Sequence, residues 1–437
     1  MSFRRFAALA VALAIGSAAR AEPPPPATRL PDMVTLDDAL RIFRAHGIDL
    51  LIADAAVQSA QADARAAAIV PNPQLGGSVG RSFLYDAKSC PGCSDLAWSA
   101  SISDNSALMD TASGRRHLRM KVADEALRAA RLERGDAQRQ LELQLKQQYI
   151  EAVLARDTLD FALEVQASQA KMLELNQIRY KAGAISETDV AKVETAKLEA
   201  DQDVDRATQN LRTAKLAVAF LLGARGPIPD FKIEQDLPRF AIPAALASAN
   251  VDALLKEAID HRPDLKAFEV EQRRAETSIA AARRQRVPDV ALSAQFAGEG
   301  TGNQALQPPT LTFGVTTTLP LFYQFQGEVQ RAEADLRTQE LGRVKAEARV
   351  ASEVESAWAA FTGTQRRVER MESRLLDRAR RARDLVQIQY QKGAASLLEY
   401  LDAQRTFIAV YVEYLGDLAD YWTAVYQLEA AVGMELR

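Results

Sequence analysis

"LNQIRYKAGAIS" (residues 175–186) and "LVQIQYQKGAAS" (residues 385–396) are two versions of one segment. Tyr180 and Tyr390, Gly183 and Gly393, and Ser186 and Ser396 each lie 210 residues apart, as do the "LLG" ending at Gly223 and the "AVG" ending at Gly433. Glycine readily takes the left-handed conformation that ends a helix, so each copy reads as a turn at a helix end. Further back, Asp49 and Asp264, and Pro73 and Pro288, pair at an offset of 215. The chain is therefore two units of one design, and a duplication this long points to an architecture rather than a compact catalytic domain.

Each turn follows a long stretch without proline, from about Gly114 to Tyr180 and from about Gly327 to Tyr390. At 1.5 Å per residue a helix of this length spans roughly 100 Å. Return helices are expected over 186–222 and 396–432. In the first, Val190, Val193, Lys197, Ala200, Val204, Ala207, Leu211, Ala214, Val218 and Leu221 step 3, 4, 3, 4, a heptad seam interrupted once by lysine. The same positions of the second return helix run Tyr400, Ala403, Phe407, Val410, Tyr414, Asp417, Tyr421, Ala424, Leu428 and Ala431. A second stripe, Leu401, Ile408, Tyr411, Leu415, Leu418, Trp422, Val425 and Val432, lies beside it. Two adjacent stripes let one helix pack on both sides, as in a helical wall or tube.

Each unit opens on an amphipathic helix, the first after the candidate N-cap Thr35. Short segments of period two follow. Leu75, Gly77, Val79, Phe83 and Tyr85 alternate with Gly76, Ser78, Gly80 and Ser82, and Leu96, Trp98, Ala100 and Ile102 alternate with serines. In the second unit Val290, Leu292, Ala294 and Phe296, then Leu311, Phe313, Val315 and Leu319, alternate with small polar residues. This is the strand pattern, with one apolar and one polar face. A soluble sheet on a core and a transmembrane barrel both satisfy it; an export signal without an obvious core partner favours the barrel. Four strands cannot close a barrel, which needs about eight, so the chain must oligomerise to remove its sheet edges.

Arg4 and Arg5 precede the apolar run "FAALAVALAIGSAA", and Ala19 and Ala21 form an A-x-A pattern, so residues 1–21 read as a cleaved signal peptide. No cysteine sits at the cut to suggest a lipid anchor. A proline-rich arm (22–34), a first repeat (35–223), a proline-rich linker (224–250) and a second repeat (251–437) complete the expected organisation. Removing Arg4, Arg5 and Arg20 leaves 54 − 3 = 51 basic residues against 58 acidic ones, a formal charge of −7, which disfavours nucleic acid as a partner.

From these residues the chain resembles the TolC family of outer-membrane channel proteins over essentially the whole mature sequence. The Y-x-x-G-x-x-S turns, the "PNP" at 71–73 and the "LG" and "VG" repeat ends carry the likeness, and "TLDDALRIF…PNPQL" looks most like the CzcC-like branch associated with metal-exporting pumps. The resemblance implies a mainly α protomer of coiled-coil hairpins with four transmembrane strands. It implies that three chains close into a twelve-stranded barrel on a periplasmic helical tube in the outer membrane of a Gram-negative bacterium. It also implies a periplasmic adaptor at the tips (Tyr180, Gly183, Ser186, Tyr390, Gly393, Ser396) and an inner-membrane pump of the resistance-nodulation-division type. In the family an acidic ring just after the second tip narrows the tube; the matching positions are Glu399 and Asp402, with Asp189 in the first repeat. The basic residue that helps hold the gate shut in better-known members is Ala395 here, so another closing contact is expected. Physically, carboxylates gathered by symmetry attract cations, whereas acids in a first helical turn also simply favour the helix dipole.

Cys90 and Cys93 form "CPGC" between the first two strands. A redox motif wants a helix N-terminus after a strand and zinc wants further ligands, so in an exported protein a loop-tip disulfide is the preferred reading. His46, His117 and His261 lie far apart, with no metal-site spacing. No nucleophile–base pair or phosphate loop is present, so no cofactor and no enzymatic activity are expected. The expected function is a passive export conduit of a tripartite pump, with heavy-metal cations as cargo. Drug efflux, type I protein secretion and a poreless coiled-coil scaffold are the alternatives.

Overall fold

In the computed structural model, which describes residues 29–81, 96–234, 236–299 and 309–436, the short strand β1 (Met33–Val34) leads into α1 (Leu36–His46). The Thr35 hydroxyl caps α1 by accepting the Asp38 N–H at 3.0 Å. The sequence suggests one opening helix, but the chain breaks at Gly47 before α2 (Ile48–Ala67). The backbone turns there so tightly that a Cβ on Gly47 would lie 2.6 Å from the Phe43 ring. The second unit breaks 215 residues later, at Arg262, where Pro263 occupies a first helical position needing no N–H donor.

After α2 come β2 (Gln74–Arg81), β3 (Leu96–Ser103), the short α3 (Ala107–Ala112), the 67-residue α4 (Arg115–Lys181) and the return helix α5 (Glu187–Leu221). The linker contributes β4 (Lys232–Ile233). The second unit repeats the order with α6 (Val251–His261), α7 (Pro263–Arg284), β5 (Asp289–Glu299) and β6 (Thr310–Thr318). Its long helix comes in two pieces, α8 (Gln326–Arg370) and α9 (Leu376–Gln391), joined by a π-helical turn at Met371–Leu375; α10 (Leu397–Val432) returns. The turn departs from the single run expected, and the packing pattern gives the reason. Val350, Val354, Ala357, Phe361, Thr364, Val368 and Met371 are buried at steps of 4 and 3, but the next inward residue is Leu376, five further on. A π turn takes up the extra residue, and the seam resumes in register at Ala379.

The four longer strands form one antiparallel sheet in the order β2-β3-β5-β6. Its register puts Leu75, Ile102, Ala294 and Phe313 in one cross-sheet row, and Ala100, Phe296 and Leu311 in another. On the opposite face Gly76, Ser101, Gln295 and Thr312 align, and Ser78 hydrogen-bonds Ser99 at 2.8 Å. The apolar face is uncovered: Leu75 is 84% exposed, Phe313 78% and Val315 70%. A sheet on a soluble core would bury this face, so of the two settings open to the alternation the lipid-facing one fits. β2 and β6 each keep one unpaired edge. Among the described residues no helix is long and apolar enough to cross a membrane.

The main apolar core lies where the arm and linker wrap the long helices. Val34, Phe43, Tyr149, Val153, Val218, Phe231, Ile233, Val354, Phe361, Tyr421, Val425 and Leu428 meet there. The arm and linker, expected only as extended connectors, are tied down: β1 and β4 pair in parallel. A proline-rich strand leaves carbonyls that need donors. The helices supply them: Tyr149 Oη donates to Val34 O at 3.0 Å, Tyr421 Oη to Ala241 O at 2.9 Å and Trp422 Nε1 to Pro238 O at 2.8 Å. Arg262, its side chain 1% exposed, joins three elements through Asp264 Oδ2 (2.7 Å), Glu353 Oε2 (2.5 Å) and Ala431 O (3.2 Å).

Val315→Lys should cost about 2–4 kcal/mol at mid-strand and reduce stable insertion, whereas Thr316→Lys on the polar face should be tolerated; outer-membrane yield and heat stability in detergent compare them. Arg262→Leu leaves its acids unpaired and should cost about 3 kcal/mol, read as earlier thermal loss of helical signal. Burial pushes the Asp264 carboxyl up, but hydrogen bonds and charge from Arg262 outweigh it and hold the carboxyl below its ordinary value. Its contribution is therefore present above about pH 4 and is lost as pH falls through the depressed folded value. In Arg262→Leu that part of the acid sensitivity should disappear.

Candidate functional site

The tips of the two hairpins are built alike. At the first, Gly183 takes φ +73° and the Ala184 N–H reaches back to Arg179 O at 2.8 Å; at the second, Gly393 takes φ +75° and the Ala394 N–H reaches Gln389 O at 2.8 Å. These are six-to-one bonds that satisfy the last helical carbonyls. Ser186 and Ser396 then cap the return helices, accepting the backbone N–H of Asp189 (3.2 Å) and Glu399 (3.3 Å).

The caps differ in side-chain length. Among the described residues the Asp189 carboxylate accepts only the Ser186 hydroxyl, at 2.9 Å, and lies 3.8 Å from Lys192. The longer Glu399 also reaches the Ser396 backbone N–H, at 2.7 Å, completing a reciprocal capping box. That N–H and the Ser396 hydroxyl hold the Glu399 carboxyl below the usual glutamate range. Glu399 thus occupies the first helical turn, as one of the two sequence readings has it, and there it completes a cap that the sequence reading did not name. Asp402, one turn on, is exposed and forms no ion pair with a described residue.

The duplicated tyrosines are not equivalent. Tyr180 is 45% exposed, but Tyr390 is 5% exposed and joins the two hairpins. Its hydroxyl donates to Asn176 Oδ1, and the fully buried Asn176 amide donates in turn to Met172 O at 2.8 Å. Its ring stacks on Tyr400 at 5.5 Å, and the Arg179 guanidinium sits 5.1 Å above it. Arg179 Nη2 also donates to Gln391 O at 2.9 Å. Met172, Val193, Tyr390, Leu397, Tyr400 and Leu401 form the apolar cluster beneath, with Ala395 against its edge. At the tips the cross-hairpin hydrogen bonds run from Tyr390 to Asn176 and from Arg179 to Gln391 O. Sequence reasoning missed Asn176 and Arg179, although a signal was present: 210 residues on they become Val386 and Gln389, so the duplicated motif diverges where the hairpins touch.

Cys90 and Cys93, the expected disulfide, and residues 1–21, the expected signal peptide, lie outside the described residues. Among the described residues no group of three or more His, Cys, Asp or Glu could hold a metal ion.

Paired helical hairpins beneath a four-stranded sheet with a bare apolar face and open edges define a subunit of an outer-membrane channel. The chain belongs to the outer membrane efflux protein family, whose model matches residues 41–224 and 254–434, one segment in each repeat. It is 22% identical to the cobalt-zinc-cadmium resistance protein CzcC of Cupriavidus metallidurans over 92% of this chain and 90% of the relative. It is 24% identical to the pyoverdine export outer membrane protein OpmQ of Pseudomonas aeruginosa over 91% of this chain and 84% of that one. Among solved structures CusC superposes with a TM-score of 0.74 at 19% identity, covering 95% of this chain and 98% of that chain. The CmeC outer membrane channel of Campylobacter jejuni gives 0.76 at 15% identity, covering 91% and 85%. The chain is thus an outer-membrane efflux channel protein.

If Tyr390 is the bond between the hairpins, Tyr390→Phe leaves a buried Asn176 oxygen short of a donor, at about 1–3 kcal/mol felt locally. Amide exchange should quicken over residues 386–404 and stay unchanged over 415–432; equal protection in Tyr390→Phe and the parent would sink this role.

Proposed function

We propose that three copies of this chain close into one conduit, and that heavy-metal cations delivered by an inner-membrane pump of the resistance-nodulation-division type leave the cell through it. The likeness to CzcC, spread over both repeats, is the observation that carries the metal cargo. Two unpaired sheet edges and a sheet of only four strands support the closure by copies. In this reading a periplasmic adaptor meets the exposed tips at Tyr180, Gly183, Ser186, Gly393 and Ser396. Tyr390 shapes the second tip from within. Asp189, Glu399 and Asp402, multiplied by symmetry, make a negative constriction that concentrates cations. A second reading, export of pyoverdine, is favoured by the similarly broad likeness to OpmQ.

Growth of a deletion strain, with and without the gene restored, across zinc, cobalt, cadmium, nickel, copper and silver beside siderophores, drugs and dyes tests the cargo. Restored resistance to metals alone supports the first reading; sensitivity to organic compounds alone overturns it and leaves the conduit. The gate has its own test in planar bilayers. Asp402→Asn should lower the preference for cations over anions roughly severalfold without touching the cap. Because the Glu399 carboxyl is held below its ordinary range, its part of the preference should persist as pH falls to about 4. An unchanged reversal potential in Asp402→Asn together with Glu399→Gln would remove these residues from the constriction.

A further inference from the structure

Along most of their length the two hairpins pack in one order. α5 lies against α4, α4 against α10, and α10 against α9, which leaves α5 and α9 as the two flanks of the protomer. At the tips α4 also meets α9, and Arg405 of α10 lies 3.6 Å from Glu199 of α5. These flanks are oppositely charged. Between Glu187 and Asp205, at the tip end of α5, stand seven acids and two lysines, a net −5. Between Arg366 and Asp384, at the end of α8, the π turn and the start of α9, stand eight arginines and four acids, a net +4. The interior counterparts, 210 residues away in each direction, are residues 397–415 of α10 and 156–174 of α4, and each carries only −2. The duplicated halves have therefore diverged in charge on the helices that the protomer leaves uncovered.

The arginines form a line. Arg367, Arg370, Arg374, Arg378 and Arg381 step 3, 4, 4, 3, all exposed, and the line continues towards the tip in Leu385, 61% exposed, and Ile388, 49% exposed. It runs on the side of the helix away from Met371, Leu376, Ala379 and Tyr390, which face the rest of the protomer. Arg367 is paired with Asp417 (3.2 Å) and Asp420 (3.0 Å), and Arg381 lies 3.6 Å from Asp377. Arg374 and Arg378 form no ion pair with a described residue. On α5, Glu187, Glu194, Leu198 and Asp205 share one face at steps of 7, 4 and 7; the three acids form no ion pair with a described residue, and Leu198 is 54% exposed. Leu198 lies 15 residues past Gly183 and Arg378 lies 15 before Gly393. Because both helices rise at 1.5 Å per residue, the two bands sit at the same height, roughly 20 Å from the tips.

We infer that the acidic flank of α5 docks on the arginine line of α9 in a second copy of this chain. The seam between copies near the tips is then an antiparallel acid–base ladder, with Leu198 level with Arg378, rather than a continuation of the heptad packing found inside each copy. The proposal rests on the closed ring of copies above and assigns its contact surface. Opposite charges on the two ends of one repeating unit also favour head-to-tail closure and oppose the flank-to-self contact that would stall it. Exposed ion pairs are screened by salt, so the ladder makes the lower part of the tube looser at high ionic strength than the core around Tyr421.

Disulfide trapping in the full-length protein tests it. In a Cys90→Ser, Cys93→Ser background, Leu198→Cys with Arg378→Cys should shift chains from the one-chain band to two- and three-chain bands on non-reducing gels after mild oxidation; either cysteine alone should not. A native-size oligomer without cross-linked chains overturns the seam and leaves the conduit standing. A monomer by native size, in the parent as well, overturns the closed ring and the seam with it. A charge exchange gives a second readout. Arg374→Glu, Arg378→Glu and Arg381→Glu together should lower the temperature at which the oligomer separates. Adding Glu187→Lys, Glu194→Lys and Asp205→Lys should restore it, which a simple folding defect would not allow. Failure of the exchange to restore it, with chains that remain helical, counts against the ladder.

Discussion

Backbone N–H and C=O groups find no water inside a bilayer, and a sheet that enters one must leave no edge unpaired. A sheet of four strands cannot meet that condition alone, because it is too narrow to curve onto itself. Most of the architecture can be understood as a response to this constraint. Each repeat supplies only two strands, β3 of the first pairs with β5 of the second, and the outer edges of β2 and β6 stay free. The same constraint sets the side chains, since a face that meets lipid must be apolar and a face that meets water must not. The cross-strand rows of Leu75, Ile102, Ala294 and Phe313 and of Gly76, Ser101, Gln295 and Thr312 divide these tasks cleanly.

Below the sheet the problem changes from backbone satisfaction to holding very long helices side by side. An isolated helix of 67 residues has too narrow a buried stripe to fix its own direction, so the contacts cluster at three levels. At the middle, the linker and arm wrap the helices and their carbonyls are met by Tyr149, Tyr421 and Trp422. Lower down, Phe161 stacks on Tyr411 with centroids 4.2 Å apart, just where the π turn restores the seam of the second hairpin. At the tips, Asn176, Arg179 and Tyr390 join the hairpins. The exposed surface between these levels is where charge, not burial, distinguishes one helix from the next.

Duplication makes this economical, but the function needs the copies to differ. Tyr180 and Tyr390 occupy one motif position, yet one points to solvent and the other is buried. Asp189 and Glu399 both follow a capping serine, yet only the longer side chain reaches back to the backbone. The first long helix is continuous and the second carries a π turn. The tyrosines and the π turn differ where the two hairpins meet, while the capping serines and left-handed glycines that any hairpin requires recur in both.

The sequence by itself determined the duplicated plan, the positions of the turns, the faces of the strands and the seams of the return helices. These follow from local rules: periods of 2 and 3.5, left-handed glycine, and proline where no donor is needed. It also placed Glu399 in the first turn of its helix, whereas the capping box with Ser396 was seen only in the structure. The tertiary structure decided what no local rule contains. It showed that the proline-rich linker is part of the core, that the break at Arg262 is an ionic joint between distant elements, and that Asn176 and Arg179 hold Tyr390. It also ordered the helices so that α5 and α9 are flanks. Those outcomes depend on which surfaces meet across one to two hundred residues of chain, and periodicity marks a surface for burial without naming its partner.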